Sequence, residues 1–209
     1  MKLQDLDNIM LLYNFMAKVG CLPQMFTEFN NSIYNAGKEI VGQFCDPSSE
    51  LAPNEEAKQS QDVEMADDSQ QKVQNKKRND CTKLIAYLIV FRVKIQKILD
   101  RMTEDCESRD HSGAFKREEK AAFQKICELC PEMIPEYMAK FMHECLVKSN
   151  KPSPAIKICQ QIYEKDPLED EQVEDLLLNK TIDLFKCIKF TDIFEGFYRQ
   201  ELSFRLLYK

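Results

Sequence analysis

Four side chains with metal-binding chemistry lie near one another in the sequence. Cys127 and Cys130 are spaced C-x-x-C, and His143 and Cys145 are spaced H-x-C. Thiolates and imidazole are the ligands zinc prefers, and four such donors can close a tetrahedral site. Zinc knuckles, however, place their paired cysteines on tight turns, usually with glycine nearby. Here both pairs fall in, or at the edge of, helical patterns, and a free cysteine packs well as a small hydrophobe. The four are therefore read as packing groups. No metal ligand and no cofactor is assigned.

A thiol nucleophile activated by imidazole is the second chemistry to weigh. The chain has two histidines, His111 and His143. His111 lies in a polar break and His143 in a helical pattern, and neither sits in a motif that would orient it against a thiolate. Glu169, Asp170, Glu171, Glu174 and Asp175 form an acidic cluster. They fall where a helix is expected to start, and negative charge there complements the helix dipole. No catalytic residue is assigned, and the chain is read as a non-enzyme.

The elements that carry these residues are helices. A first helix is expected over residues 4–19, where Leu6, Ile9, Met10, Tyr13 and Met16 recur at three- and four-residue steps. Gly20 ends it, and Pro23 suits the first turn of a second helix. In that helix Leu22, Phe26, Phe29, Ile33, Ala36 and Ile40 make one inner stripe. So short a connection predicts an antiparallel pair. The third helix carries Leu84, Leu88, Phe91, Ile95, Ile98 and Met102, widened by Ile85 and Leu99. Lys83, Arg92, Lys94, Lys97 and Arg101 are expected mostly off that stripe. A polar break at 107–114 precedes a fourth helix with Phe115, Ala122, Phe123, Ile126 and Leu129 inside. Pro131 and Pro135 open a fifth, which would bury Tyr137, Met138, Phe141, Met142 and Cys145.

Residues 149–168, with Pro152, Pro154 and Pro167, read as a loop with one or two helical turns. A sixth helix spans about 169–188, with Val173, Leu177, Leu184 and Ile188 in one row and Leu176, Ile182 and Phe185 beside it. A seventh starts near Asp192, a good N-cap. Its face is Ile193, Phe194, Phe197, Tyr198, Leu202 and Leu206. No segment alternates with period two, so β-structure is not expected.

Residues 46–79 differ from the rest. They are rich in Ser, Gln, Asp, Glu, Asn and Lys, and no aromatic residue occurs between Phe44 and Tyr87. Such a stretch cannot bury enough apolar surface to offset chain entropy. It is read as a disordered, mainly acidic insertion. The resulting fold class is all-α: packed antiparallel helical hairpins in a bundle or solenoid-like stack. The organisation is a first hairpin over 1–45, the polar insertion over 46–79, a helical bundle over 80–168, and onward-leading helices over 169–209.

Composition narrows the function. The 209 residues carry a net charge of −6, with 44% hydrophobic and 31% charged residues. That excess disfavours nucleic acid or an anionic membrane as the main partner. The longest apolar run, Leu84 to Phe91, is too short to span a bilayer. Only five glycines occur, which argues against Gly-rich phosphate loops. The nine cysteines are odd in number and irregular in spacing. They predict reduced thiols in a cytoplasmic or nuclear protein.

Residues 185–207, FKCIKFTDIFEGFYRQELSFRLL, resemble a segment of the cullin family. The family reads F-K-Y-I, a short link, D-V-F, then F-Y, then L-A-x-R-L-L. Asp192, Phe194, Phe197, Tyr198, Leu202, Arg205, Leu206 and Leu207 match in register. Ser203, Phe190 and Phe204 depart from the pattern. Upstream, residues 135–141, PEYMAKF, are similar to the family's P-E-x-L-A-x-Y helix. Residues 12–15 (LYNF), residues 20–22 (GCL) and the spacing of Ile33, Gly37 and Ile40 resemble the third cullin repeat. The three matches follow the family order.

The resemblance implies a stiff stack of helical hairpins in a multi-subunit ubiquitin ligase, acting in ubiquitin-dependent degradation by positioning rather than bond-making. Its implied partners are proteins, the other ligase subunits. The segments that bind substrate adaptors and the RING subunit have no counterpart here. The chain is thus expected to be the last repeat plus the start of the next domain, in a truncated or divergent member or a fragment. The alternative is a stand-alone helical interaction module without ligase function.

Overall fold

The computed structural model describes the backbone of residues 3–45, 67–104, 109–147, 154–160 and 170–207. Side chains are described for 11–44, 81–100, 113–147, 154–160 and 175–207. Among the described residues there are eight α-helices and no strand: α1 Leu3–Lys18, α2 Leu22–Cys45, α3 Asp67–Glu104, α4 Arg109–Cys127, α5 Met133–Leu146, α6 Pro154–Gln160, α7 Asp170–Phe185 and α8 Thr191–Leu207.

Local chemistry sets the first boundary. Gly20 has φ +71°, a conformation that a Cβ would strain. The amide of Cys21 donates to Met16 O at 2.9 Å and that of Gly20 to Ala17 O at 3.3 Å. This is the double closure of a Schellman turn. Pro23 follows in the first turn of α2, where its missing N–H leaves no helical bond unmade.

α3 is the spine. It packs against α2, α4, α5, α6 and α7. Leu84, Ile85, Leu88, Ile89 and Leu99 of α3 are buried in one cluster with Phe123 and Ile126 of α4, Ile134, Met138 and Phe141 of α5, and Leu177 and Leu184 of α7. The most extensive packing joins helices that are not neighbours in sequence: α2 with α4, α5 with α8, and α3 with α6. α1 meets α2 less closely.

At the α2–α4 contact, a Cβ on Gly37 would lie 2.2 Å from Ile126 Cδ1, so the missing side chain is what lets α4 come close. Phe115 of α4 takes Phe26 and Phe29 edge-on, at centroid distances of 4.8 and 5.2 Å, and Tyr13 of α1 at 6.0 Å. Edge-to-face geometry of this kind adds to the area buried.

Several boundaries and faces differ from the reading of the sequence. α3 starts at Asp67, so residues 67–79 are a helical extension and not structureless chain. Gln, Lys and Arg there are good helix formers, and Asp67 and Asp68 sit at the positive end of the dipole. Residues 46–66 lie outside the described residues. α4 likewise starts at Arg109, within the expected polar break. The 149–168 stretch does hold two helical turns, as α6. α8 starts at Thr191, which puts Asp192 inside the first turn, not at the cap.

On α2 the buried row is Asn30, Ile33, Gly37, Val41 and Phe44, with Phe26, Phe29, Ala36 and Ile40 half-buried beside it. Ile182 on α7, and Leu202 and Leu206 on α8, are exposed instead of buried.

Candidate functional site

Among the described residues, the side chains nominated for chemistry do not form a metal cluster. Cys127 closes α4 and is buried, Cys130 is half-buried in the turn that follows, and His143 and Cys145 lie on α5. Among the described residues no group of three or more His, Cys, Asp or Glu could hold a metal ion. None of the seven described cysteines is in a disulfide. Burial pushes the Cys127 thiol up to about 12, with Cys187 adding to the shift and Arg92 opposing it. Burial alone pushes Cys159 up to about 12. Burial also raises Cys187, against the pull of Arg92. A nucleophilic cysteine needs the opposite surroundings, electropositive and accessible. The side chains of His111, Glu169, Asp170, Glu171 and Glu174 lie outside the described residues.

Two ionisable constellations lie among the packed helices, and the sequence assigned neither. The first is centred on Arg92, which was expected off the inner stripe. Its side chain is mostly buried; Nε donates to Glu119 Oε1 at 2.8 Å and Nη1 donates to Asp183 O at 2.5 Å. Its guanidinium carbon lies 5.2 Å from the centroid of Phe123. One cation thus ties α3 to α4 and α7. Cys187 Sγ donates to the same carbonyl at 3.8 Å, which brings the end of α7 to the same point. A salt bridge from Lys189 Nζ to Glu128 Oε1 at 2.6 Å joins the turns beyond α7 and α4.

The second constellation lies between α5 and α8. His143 Nδ1 is 3.0 Å from Glu201 Oε2, and both side chains are largely removed from solvent. The approach is an ionic contact by distance and not an aligned hydrogen bond. One turn beyond Glu201, Arg205 lies over the Tyr198 ring at 5.3 Å, and its Nη1 is buried with no hydrogen-bond partner. A faint signal was available in the sequence. Glu201 stands three and four residues after Tyr198 and Phe197, on the apolar face of its own helix.

The surface offers contact area. α1 turns Tyr13 inward and leaves Leu11 (68% exposed), Leu12 and Phe15 (61%) on its outer side, with Val19 exposed in the turn that follows. The last turns of α8 leave Leu202, Phe204, Leu206 (69%) and Leu207 (76%) open. A helix apolar on two sides is suited to burial on both, and clustered exposed apolar side chains mark interaction surfaces. No helix among the described residues is long and apolar enough to cross a membrane.

Comparison with known proteins adds one match. A family model described as the cullin alpha solenoid domain matches residues 1–209. No curated protein and no solved structure gives a significant match.

Proposed function

The chain belongs to the cullin family, through its alpha-solenoid domain, and on that premise we propose that it is a non-catalytic scaffold component of a multi-subunit ubiquitin ligase. The observation that carries the reading is the pair of uncovered apolar rows, on the outer side of α1 and on the last turns of α8. Between them lies a packed stack crossed by buried polar ties, which resists bending and could hold partners at a set distance. Positioning of this kind raises the rate of a reaction that other subunits carry out. The finer assignment, to the third repeat and the start of the next domain, rests on the motifs at residues 12–40, 135–141 and 185–207. The absence of a disulfide among the described cysteines is consistent with a cytoplasmic or nuclear setting.

Native affinity purification of the full chain from cells, read by mass spectrometry, tests this. RING and adaptor subunits are expected in the eluate. Their absence from repeated purifications, with the chain folded by circular dichroism, overturns the ligase reading. Recovery of a full-length cullin without them points to a stand-alone module that binds the scaffold.

A further inference from the structure

Within α8, Glu201 is the sole buried residue, at 8% exposure; the other positions are half-buried or exposed. A docked helix ordinarily buries an apolar residue at its centre of contact. Burying a carboxylate is costly unless a partner compensates it. The partner in reach is His143 of α5, at 3.0 Å. α8 rests mainly on α5, so this contact lies inside the interface that holds the helix.

We propose that the His143–Glu201 contact makes the docking of α8 on α5 pH-sensitive: α8 is held while the imidazole is protonated and loosens as it gives up its proton.

The surrounding charges support this placement. On α5, Glu144 adjoins His143, and Lys140, one turn back, is bonded to Glu136. On α8, Arg205 follows Glu201 by one turn, and Arg199 is paired with Glu195 at 2.5 Å. On α7, Lys180 donates to Gln96 and Lys186 is paired with Asp183; on α3, Arg92 is bonded to Glu119. Lys140, Arg199, Lys180, Lys186 and Arg92 are thus engaged elsewhere, while Arg205 lies over the Tyr198 ring and keeps its charge across the range in which histidine titrates. His143 and Glu201 also take part in further interactions, so the proposal concerns the change in charge and not the isolation of the pair.

The sign follows from the charges. An imidazolium beside a carboxylate attracts it; a neutral imidazole leaves the carboxylate buried with less compensation. The holding effect is therefore present at the acid end of the histidine range and is lost as pH rises. Histidine is the side chain whose ordinary titration falls between about pH 5 and 8. The apolar anchor at the other end of the helix, Phe194 against Phe185 of α7 at 4.7 Å, carries no charge. Loosening is thus expected to start from the C-terminal half of α8.

Hydrogen–deuterium exchange of the full chain from about pH 5.5 to 8, corrected for the intrinsic exchange rate, reads α8 against α2 and α4 in one experiment. Protection of peptides within 191–207 should fall about tenfold across the range, the size expected for one charge-assisted contact. Peptides of α2 and α4 should stay level. In His143→Gln the fall should vanish, and in His111→Gln it should remain. Wild-type α8 protection that does not change with pH overturns the proposal, as does an undiminished fall in His143→Gln. Should His143→Gln also lose protection in α2 and α4, Glu201→Gln and the wild-type imidazole resonance decide. A level α8 profile in Glu201→Gln and a His143 midpoint coincident with the loss of protection are expected. A persisting fall in Glu201→Gln, or midpoints that do not coincide, overturns it.

Discussion

The α2–α4 and α5–α8 interfaces both join helices distant in sequence, and they are built on opposite plans. Between α2 and α4 the contact is close and mostly apolar. Gly37 admits Ile126, and Phe115 sits among Phe26, Phe29 and Tyr13. The polar residue buried there, Asn30, is served on both sides of its amide. Its Nδ2 donates to Glu118 O and Oε2 at 2.9 and 3.0 Å, and its Oδ1 accepts from Lys125 Nζ at 3.0 Å. Between α5 and α8 the buried centre is Glu201 against His143, and the apolar residues of α8 are half-covered or open. Extent of contact alone therefore does not rank the two. One interface is closely packed and satisfies its buried polar group, and the other has an ionisable pair at its centre.

Truncation separates the plans most sharply. Phe115→Ala removes the ring on which three others converge, and should cost about 4 kcal/mol in chemical denaturation, as for other large aromatic core losses. Phe197→Ala, on the half-buried face of α8, should cost about 1 kcal/mol in the same assay, because less area is removed from water. Equal losses would erase the distinction between the interfaces.

Glu119→Ala probes the tie that joins α3 to α4. It leaves the guanidinium of Arg92 largely buried without its carboxylate, for a loss of about 3 kcal/mol. Replacing both partners together, Arg92→Met with Glu119→Leu, should recover most of that stability, since an apolar pair of similar volume has no charge to desolvate. Failure of the double variant to recover would mean that the bond from Nη1 to Asp183 O carries the load.

These side chains also show what the sequence could reveal. The inner rows of α3 and α5 were legible because Leu84, Leu88 and Ile95, like Tyr137, Met138 and Phe141, lie on faces whose three- and four-residue spacing points one way. Arg92 was misplaced because a charge is assigned to solvent by default. Its partners, Glu119 and Asp183, are 27 and 91 residues away, beyond any local pattern. Leu202 and Leu206 were misread for a different reason. Periodicity finds apolar rows, and in α8 one row faces outward while a glutamate takes the inner position. α1 repeats the lesson, with Tyr13 inward and Leu11 and Phe15 outward. The family motif was legible at residues 185–207 even though the burial of its leucines was not.

A smaller change tests how close the α2–α4 packing is. Gly37→Ala would set a Cβ 2.2 Å from Ile126 Cδ1 and 2.6 Å from Cγ1, so the isoleucine must turn or the helices must part. A loss of about 1–2 kcal/mol is expected. Ile126→Val removes the methyl that collides most directly, so the pair of substitutions should cost less than the sum of the singles, a coupling that a double-mutant cycle reads directly. Additive losses would show that the backbone yields and that the glycine is not what sets the approach.

The smallest effect on stability should come from the open end of α8, and it is the most telling for function. Leu206→Ser with Leu207→Ser alters two side chains that are mostly in solvent, so the folded chain loses little by it, within about 0.5 kcal/mol. If these leucines serve as contact area for another ligase subunit, the same variant should recover markedly less of that subunit in native purification, while exchange protection of α2 and α4 stays at the wild-type level. The contrast with Phe115→Ala is what gives the test its force. One variant should damage the fold through a residue buried within the chain, and the other should damage association through residues that contribute little to the fold. Unchanged recovery in the double serine variant would move the partner surface to α1, where Leu11 and Phe15 present the other open row.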